Sequence, residues 1–158
     1  VEKIKKRGLE AICCRAEELD KYNIKSDIFI SFQTLEHLLS PIHFLKSLSD
    51  KSECKYFVIT IPYKKFSRVA LPYIRTKTLK EIYAENLHIF ELCPDDWKQI
   101  FIFCGWKIIY EQIYYQYPQH SILTNFYKQC WRENDFEGFY GVILEKDDTF
   151  KKLYKDWP

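Results

Sequence analysis

Apolar residues along this chain fall into short, nearly continuous runs separated by stretches of helical period. Asp27-Ile-Phe-Ile-Ser-Phe32 and Tyr56-Phe-Val-Ile-Thr-Ile61 are two such runs, the second ended by Pro62. Their β-branched and aromatic content and their length suit strands covered on both faces of a parallel sheet. Leu9 to Cys14 is a shorter run of the same kind and predicts a buried strand. Between them the period changes. Leu35 to Leu39 predicts a turn, and Ser40-Pro41 fits an N-cap followed by proline at the first helical position. The helix runs to about Leu48, with Ile42, Leu45 and Leu48 spaced to face the sheet. Pro94-Asp95-Asp96 opens a second helix through Phe103, with acids at its positive N-terminal end, and Cys104-Gly105 closes it.

Trp106 to Tyr115 alternates as an extended strand does, and Phe139 to Glu145 predicts a last strand. At the N-terminus, residues 1–7 read as the end of a basic helix stopped by Gly8. Arg15 to Leu19 reads as a loop or helical turn, and the tail from Asp147 as a short helix. Strands alternate with helices, so the expected class is α/β with a mainly parallel sheet, its last two strands forming an antiparallel hairpin at one edge. The chain is expected to be one domain, 1–158, with insertions at about 63–86 and 116–137. The first insertion is basic and Tyr-rich (Lys64, Lys65, Arg68, Arg75, Lys77, Lys80), and is too long for a simple connection.

Composition narrows the function classes. Twenty-four basic and 22 acidic side chains leave a net charge of +2, which provides no broad basic surface for nucleic acid. No apolar run reaches membrane-spanning length and the N-terminus lacks a signal-peptide core, so a cytoplasmic protein is expected. The cysteines (13, 14, 54, 93, 104, 130) form no Cys-x-x-Cys pair and no metal-ligand spacing with the four histidines. They read as reduced, mostly buried thiols, and no metal is expected. Aromatics make up 18% of the chain, which serves either a core or an aromatic-lined pocket. The sequence has no Met and only four glycines, which suggests a larger protein of which this is the later part.

The order strand, turn, helix, strand over Ser26–Tyr63, with Leu35-Glu-His37 just past the first strand, resembles the second half of a class I S-adenosylmethionine-dependent methyltransferase, of the type 11/12 kind. His88-Ile-Phe90, the helix opening at Pro94, and Gly105-Trp106 match a further pattern of that family. The resemblance implies a Rossmann-like sheet in the family order 3-2-1-4-5-7-6, with strand 7 antiparallel. It aligns the run ending at Cys13 with strand 3. Strands 1 and 2, which carry the family's glycine-rich loop, have no counterpart here. The activity implied is methyl transfer from S-adenosyl-L-methionine to a small-molecule acceptor, such as a saccharide or another surface-polymer precursor. Cofactor contacts are then expected from Ala16, Glu17, Ser31, Phe32, Gln33 and His37. Arg15 stands where the family has an acid that holds the adenine, which leaves the backbone at Ala16 as the contact there.

His88 is the candidate general base, since a neutral imidazole suits deprotonation near pH 7. Tyr63 and Arg68 are the candidate acceptor contacts. Each has a plainer reading: His37 and His88 as packing or hydrogen-bonded histidines, Glu17 as part of a solvated acidic turn, the tyrosines as strand packing, and the basic segment as a solvated face. At the level of the whole chain, the alternative to an enzyme is a non-catalytic, methyltransferase-like binding or scaffold domain.

Overall fold

The structure, a computed structural model, describes residues 1–69, 88–115, 122–124, 126 and 138–153. Helix α1 spans Glu2–Lys5 and a 3-10 helix spans Ala16–Lys21. Strand β1 (Ile28–Phe32) leads through a 3-10 turn at Leu35–His37 into helix α2 (Pro41–Lys51) and strand β2 (Tyr56–Pro62). A two-residue ladder joins β3 (Arg68–Val69) to β4 (Phe90–Glu91). Helix α3 (Pro94–Phe103), strand β5 (Trp106–Tyr115), strand β6 (Gly138–Lys146) and helix α4 (Thr149–Leu153) complete the order.

The main sheet has the order β1-β2-β6-β5. β1 pairs with β2 in parallel, whereas β6 runs antiparallel to both β2 and β5. β1, β2 and β5 therefore point the same way and β6 alone is reversed. This is the expected mainly parallel sheet with its antiparallel C-terminal strand. It is also the 4-5-7-6 half of the order that the sequence resemblance implies.

One face of the sheet holds the core. β2 alternates, so Phe57, Ile59 and Ile61 are all buried on that side. The Phe57 ring meets Phe29, Phe44 and Trp106 at centroid distances of 5.5, 6.0 and 5.8 Å. Trp106 also donates from Nε1 to the Leu45 carbonyl at 3.0 Å, which ties the start of β5 to α2. A buried indole N–H needs such an acceptor.

Four expectations need correction. Leu9–Cys14 is not a strand: Leu9, Ile12 and Cys13 are exposed and no ladder includes them. An apolar run becomes a strand only beside a partner that can take its backbone groups, and no described strand flanks it. β1 is covered on one face only. Phe29 and Ser31 turn inward, while Ile28, Ile30 and Phe32 are 52%, 58% and 58% exposed. On α2 the buried arc is Pro41, Phe44, Leu45, Leu48 and Ser49, and Ile42 lies just beyond its edge, exposed. Among the described thiols, only Cys54 and Cys104 are buried, and burial pushes Cys104 up to about 12. Cys130, most of the 116–137 insertion, and residues 70–86 of the first insertion lie outside the described residues.

Candidate functional site

The chemistry-bearing side chains gather where β1 and β2 end. β1 leaves the sheet through Gln33, whose φ of 51° is unusual for a residue with a Cβ. Two bonds from Gln33 to Thr60 hold the kink. The Gln33 amide donates to the Thr60 carbonyl at 2.8 Å, and its side-chain Nε2 donates to Thr60 Oγ1 at 3.3 Å. The chain then turns over Leu35-Glu36-His37, with Leu35 and Glu36 fully buried and His37 half-buried.

The segment after the first insertion crosses this turn. The Ile89 amide donates to the Glu36 carbonyl at 2.6 Å. That bond brings His88 onto His37, with ring centroids 4.7 Å apart and the planes edge to face. His88 Nδ1 lies 2.7 Å from Glu91 Oε1. The other Glu91 oxygen accepts from Arg68 Nε, and Lys64 Nζ stands 3.8 Å from it. Glu91 and Lys64 are both buried. Burial pushes the Glu91 carboxyl up, but hydrogen bonds from His88 and Arg68 and the Lys64 charge outweigh it and hold it below its ordinary value.

Glu36 is the reverse case. Both of its carboxylate oxygens are buried without a hydrogen-bond partner, and His37 Nε2 lies 3.9 Å from Oε1. Burial pushes this carboxyl up to about 7. Its own backbone amide, which misses hydrogen-bond geometry, and the nearby His88 pull it back only in part. Glu36, His37 and His88 each place one ligand-type atom within 4.8 Å of the other two.

Two clefts lie among the neighbouring elements, the first reaching Thr34 and the second Lys64, and Glu36, His37 and His88 line neither. The first, of about 630 Å³, runs between Glu10–Cys14, the 3-10 helix and β1, and its lining includes Ala16, Phe29, Ser31, Thr34 and Phe44. The second, of about 480 Å³, is lined by Tyr63, Lys64, Lys65, Asp95, Lys98, Glu111 and Tyr140, among others. Tyr140 donates to Glu111, and burial together with that carboxylate raises the phenol well above its usual range.

The expected site residues divide accordingly. Ala16 and Ser31 line the first cleft. Glu17 instead accepts the Leu39 amide at 3.1 Å, bracing the turn, and Phe32 is exposed at the end of β1. Gln33 shapes the turn, and His37 and His88 meet beside it. Tyr63 lines the second cleft, with its ring 5.7 Å from that of Tyr115, whereas Arg68 is joined to Glu91. Sequence reasoning passed over Glu36 and Glu91. The His88–Glu91 spacing was a usable signal for the second of these. Glu36 lay inside the Leu35-Glu-His37 motif but was given no role of its own, because a carboxylate in a turn reads as solvated.

No protein-family model matches the chain, and no curated protein matches it in sequence. Solved structures do match in fold. The [4+2]-cyclase SpnF superposes with a TM-score of 0.61 at 14% identity, over 92% of this chain and 61% of its own. The 1,6-didemethyltoxoflavin-N1-methyltransferase of Burkholderia thailandensis, solved with S-adenosylhomocysteine, gives 0.57 at 13% identity, over 87% of this chain and 50% of its own. The mitomycin 7-O-methyltransferase MmcR gives 0.54 at 10% identity, over 92% and 37%. The chain thus spans less than two thirds of the length of these neighbours. With the strand order and the reversed β6, these matches show that the chain has the fold of class I S-adenosylmethionine-dependent methyltransferases.

Proposed function

We propose that the protein transfers a methyl group from S-adenosylmethionine to a small hydroxyl-bearing acceptor, with His88 taking the acceptor's proton. The observation that carries this reading is the 2.7 Å contact of His88 Nδ1 with the buried Glu91 carboxylate. A carboxylate on Nδ1 fixes the tautomer, leaves Nε2 as the basic nitrogen, and stabilises the imidazolium that forms when a proton arrives. The pair sits beyond the C-terminal ends of the strands, where open α/β sheets bind their ligands.

The first cleft fits the cofactor as one wall of a site. Its volume is in the range of small-molecule pockets, and Phe29 and Phe44 give it an apolar floor with Ser31 and Thr34 as polar groups. When bound, the cofactor would supply an activated methyl on a sulfonium, and the residues here orient the partners and exclude water. The reading includes a second wall: no described residue pairs with the outer edge of β1, and Ile28, Ile30 and Phe32 are bare. Further chain laid there would close the cleft. The Tyr63–Tyr140 cleft is the place for the acceptor, and a saccharide or other surface-polymer precursor has the hydroxyl that a base serves. The free described thiols support a reducing compartment, the cytoplasm, and no described helix is long and apolar enough to cross a membrane.

A second reading, a binding or scaffold domain, is favoured by exposed Arg15 at the position where the resemblance expects an acid. Moreover, SpnF is a cyclase, so the fold by itself does not fix the reaction. Calorimetric titration of the full-length protein with S-adenosylmethionine separates the two. Binding is expected, and no heat at millimolar cofactor would remove the enzyme reading. His88→Ala should then lower turnover by about 10²–10⁴-fold, the usual contribution of a general base, with cofactor affinity unchanged. Equal turnover would exclude His88 as the base.

A further inference from the structure

We infer that Glu36, His37 and His88 form a binding site for one divalent transition-metal ion of the zinc and cobalt class. Two histidines and a carboxylate are a common ligand set for such ions, with a fourth position left to water. The three ligand-type atoms already lie within 4.8 Å of one another, and His37 Nε2 is 3.9 Å from Glu36 Oε1. Atoms bound tetrahedrally to one ion at about 2.0–2.1 Å stand about 3.3 Å apart. Closing the cluster onto an ion therefore requires these atoms to draw together by at most about 1.5 Å.

Two further observations point to a cation at this place. Glu36 is fully buried and neither carboxylate oxygen has a hydrogen-bond partner. A buried carboxylate left in that state is costly, and a bound cation relieves it. In addition, Glu91 holds His88 by Nδ1. A carboxylate on the far nitrogen of a ligating histidine is the usual outer support of a metal site, and it aims Nε2 at the ion.

The surrounding charge selects the kind of ion. Lys64 and Arg68 both reach Glu91, which already holds His88, so Glu36 supplies the anionic ligand of the cluster. Magnesium and calcium require an oxygen-rich shell, which one carboxylate does not provide. An ion held mainly through imidazole nitrogen suits this site instead. An ion on His88 Nε2 would occupy the nitrogen proposed as the base, so metal binding and proton uptake by His88 exclude one another, and the site is read without cofactor or acceptor.

Titration of the protein with Co(II), followed by visible absorption and without any cofactor, tests it. One Co(II) per chain is expected, with d–d bands of a nitrogen- and oxygen-ligated ion, displaced by Zn(II) and indifferent to excess Mg(II). Glu36→Gln keeps the shape of the side chain and removes a buried charge, so the fold should survive it. That variant and His88→Ala should each weaken binding about tenfold or more, and Glu91→Gln about 10–100-fold, as loss of an outer partner does. Absence of binding at micromolar Co(II) would overturn the site. So would thiolate-to-cobalt charge-transfer bands, displacement by Mg(II), or unchanged affinity in Glu36→Gln.

Discussion

Single residues show where the chain has no tolerance. Gly138 opens β6 with φ at 150°, and a Cβ there would stand 2.2 Å from the Tyr114 carbonyl oxygen and 2.9 Å from Tyr115 Cα. Both obstacles are backbone, so no side-chain rotation relieves them. The same residue accepts the Tyr63 amide at 2.7 Å, which places Tyr63 at the second cleft. Gly138→Ala is expected to lower stability by about 1–3 kcal/mol, the cost of a strained backbone position, read as a lower urea midpoint. An unchanged midpoint would mean that β5 and β6 separate there at no cost. At this scale the sequence pointed to His37 and His88 one at a time. It could not bring them together, because they meet through a tertiary bond from the Ile89 amide to the Glu36 carbonyl. The burial of Glu36 was equally invisible, since it follows from packing around the turn and not from the turn's own composition.

Elements were the most legible level, because their signals are local. β5 spans the residues whose alternation predicts it, and α3 runs from its opening proline to Phe103 as expected. α2 outlasts its apolar pattern and ends at Lys51 in place of Leu48. Its last turn is held by charge, which apolar periodicity cannot register. Asp50 pairs with Lys46 one turn back at 3.0 Å and with Lys151 of α4, and Lys51 reaches Asp20 at 2.7 Å. Lys151 also donates to Ser49 Oγ at 2.9 Å, so α4 is fastened to α2 through this corner. Leu9–Cys14 differs for the opposite reason: its local signal is good, and no described strand pairs with it.

The Asp50 corner has a pH signature. Burial raises its carboxyl, but hydrogen bonds and charge from Lys151 and Lys46 outweigh that and hold it below the ordinary 3.8. A carboxyl lowered by folding adds stability above its unfolded value, and that stability is lost as pH falls through the folded value. Asp50→Asn should therefore be less stable than the parent at neutral pH. The difference should shrink as pH drops below 3.8, when measured by thermal unfolding along an acid series. A gap that stayed constant with pH would show that the corner acts by shape and not by charge.

The whole molecule is governed by where its last strand goes. β6 is the last of the described strands along the chain and yet sits inside the sheet, between β2 and β5. Residues 139–145 pair with 56–62, so the centre of the sheet joins segments far apart along the chain. Such long-range pairing makes folding slow and concerted, because the loop-closure entropy is lost before the contacts form. β6 also brings Tyr140, Val142 and Leu144 into the core, and it is the sheet neighbour of β5 in the described topology. The sequence indicated α/β architecture through alternation alone, and the interior place of β6 came only with the family resemblance, since no local pattern encodes strand order. A chain ending at residue 137 would strip β2 of one neighbour and β5 of its ladder, and would open the core along Phe57, Ile59 and Ile61. What remains is the β1–β2 pair with α2 and α3, and β5 without a ladder, which leaves too little buried apolar surface to stand by itself. Loss of the cooperative urea transition in far-UV circular dichroism is the expected result. A sigmoidal transition surviving in that truncated chain would show that the parallel pair folds independently and that β6 docks onto a preformed half.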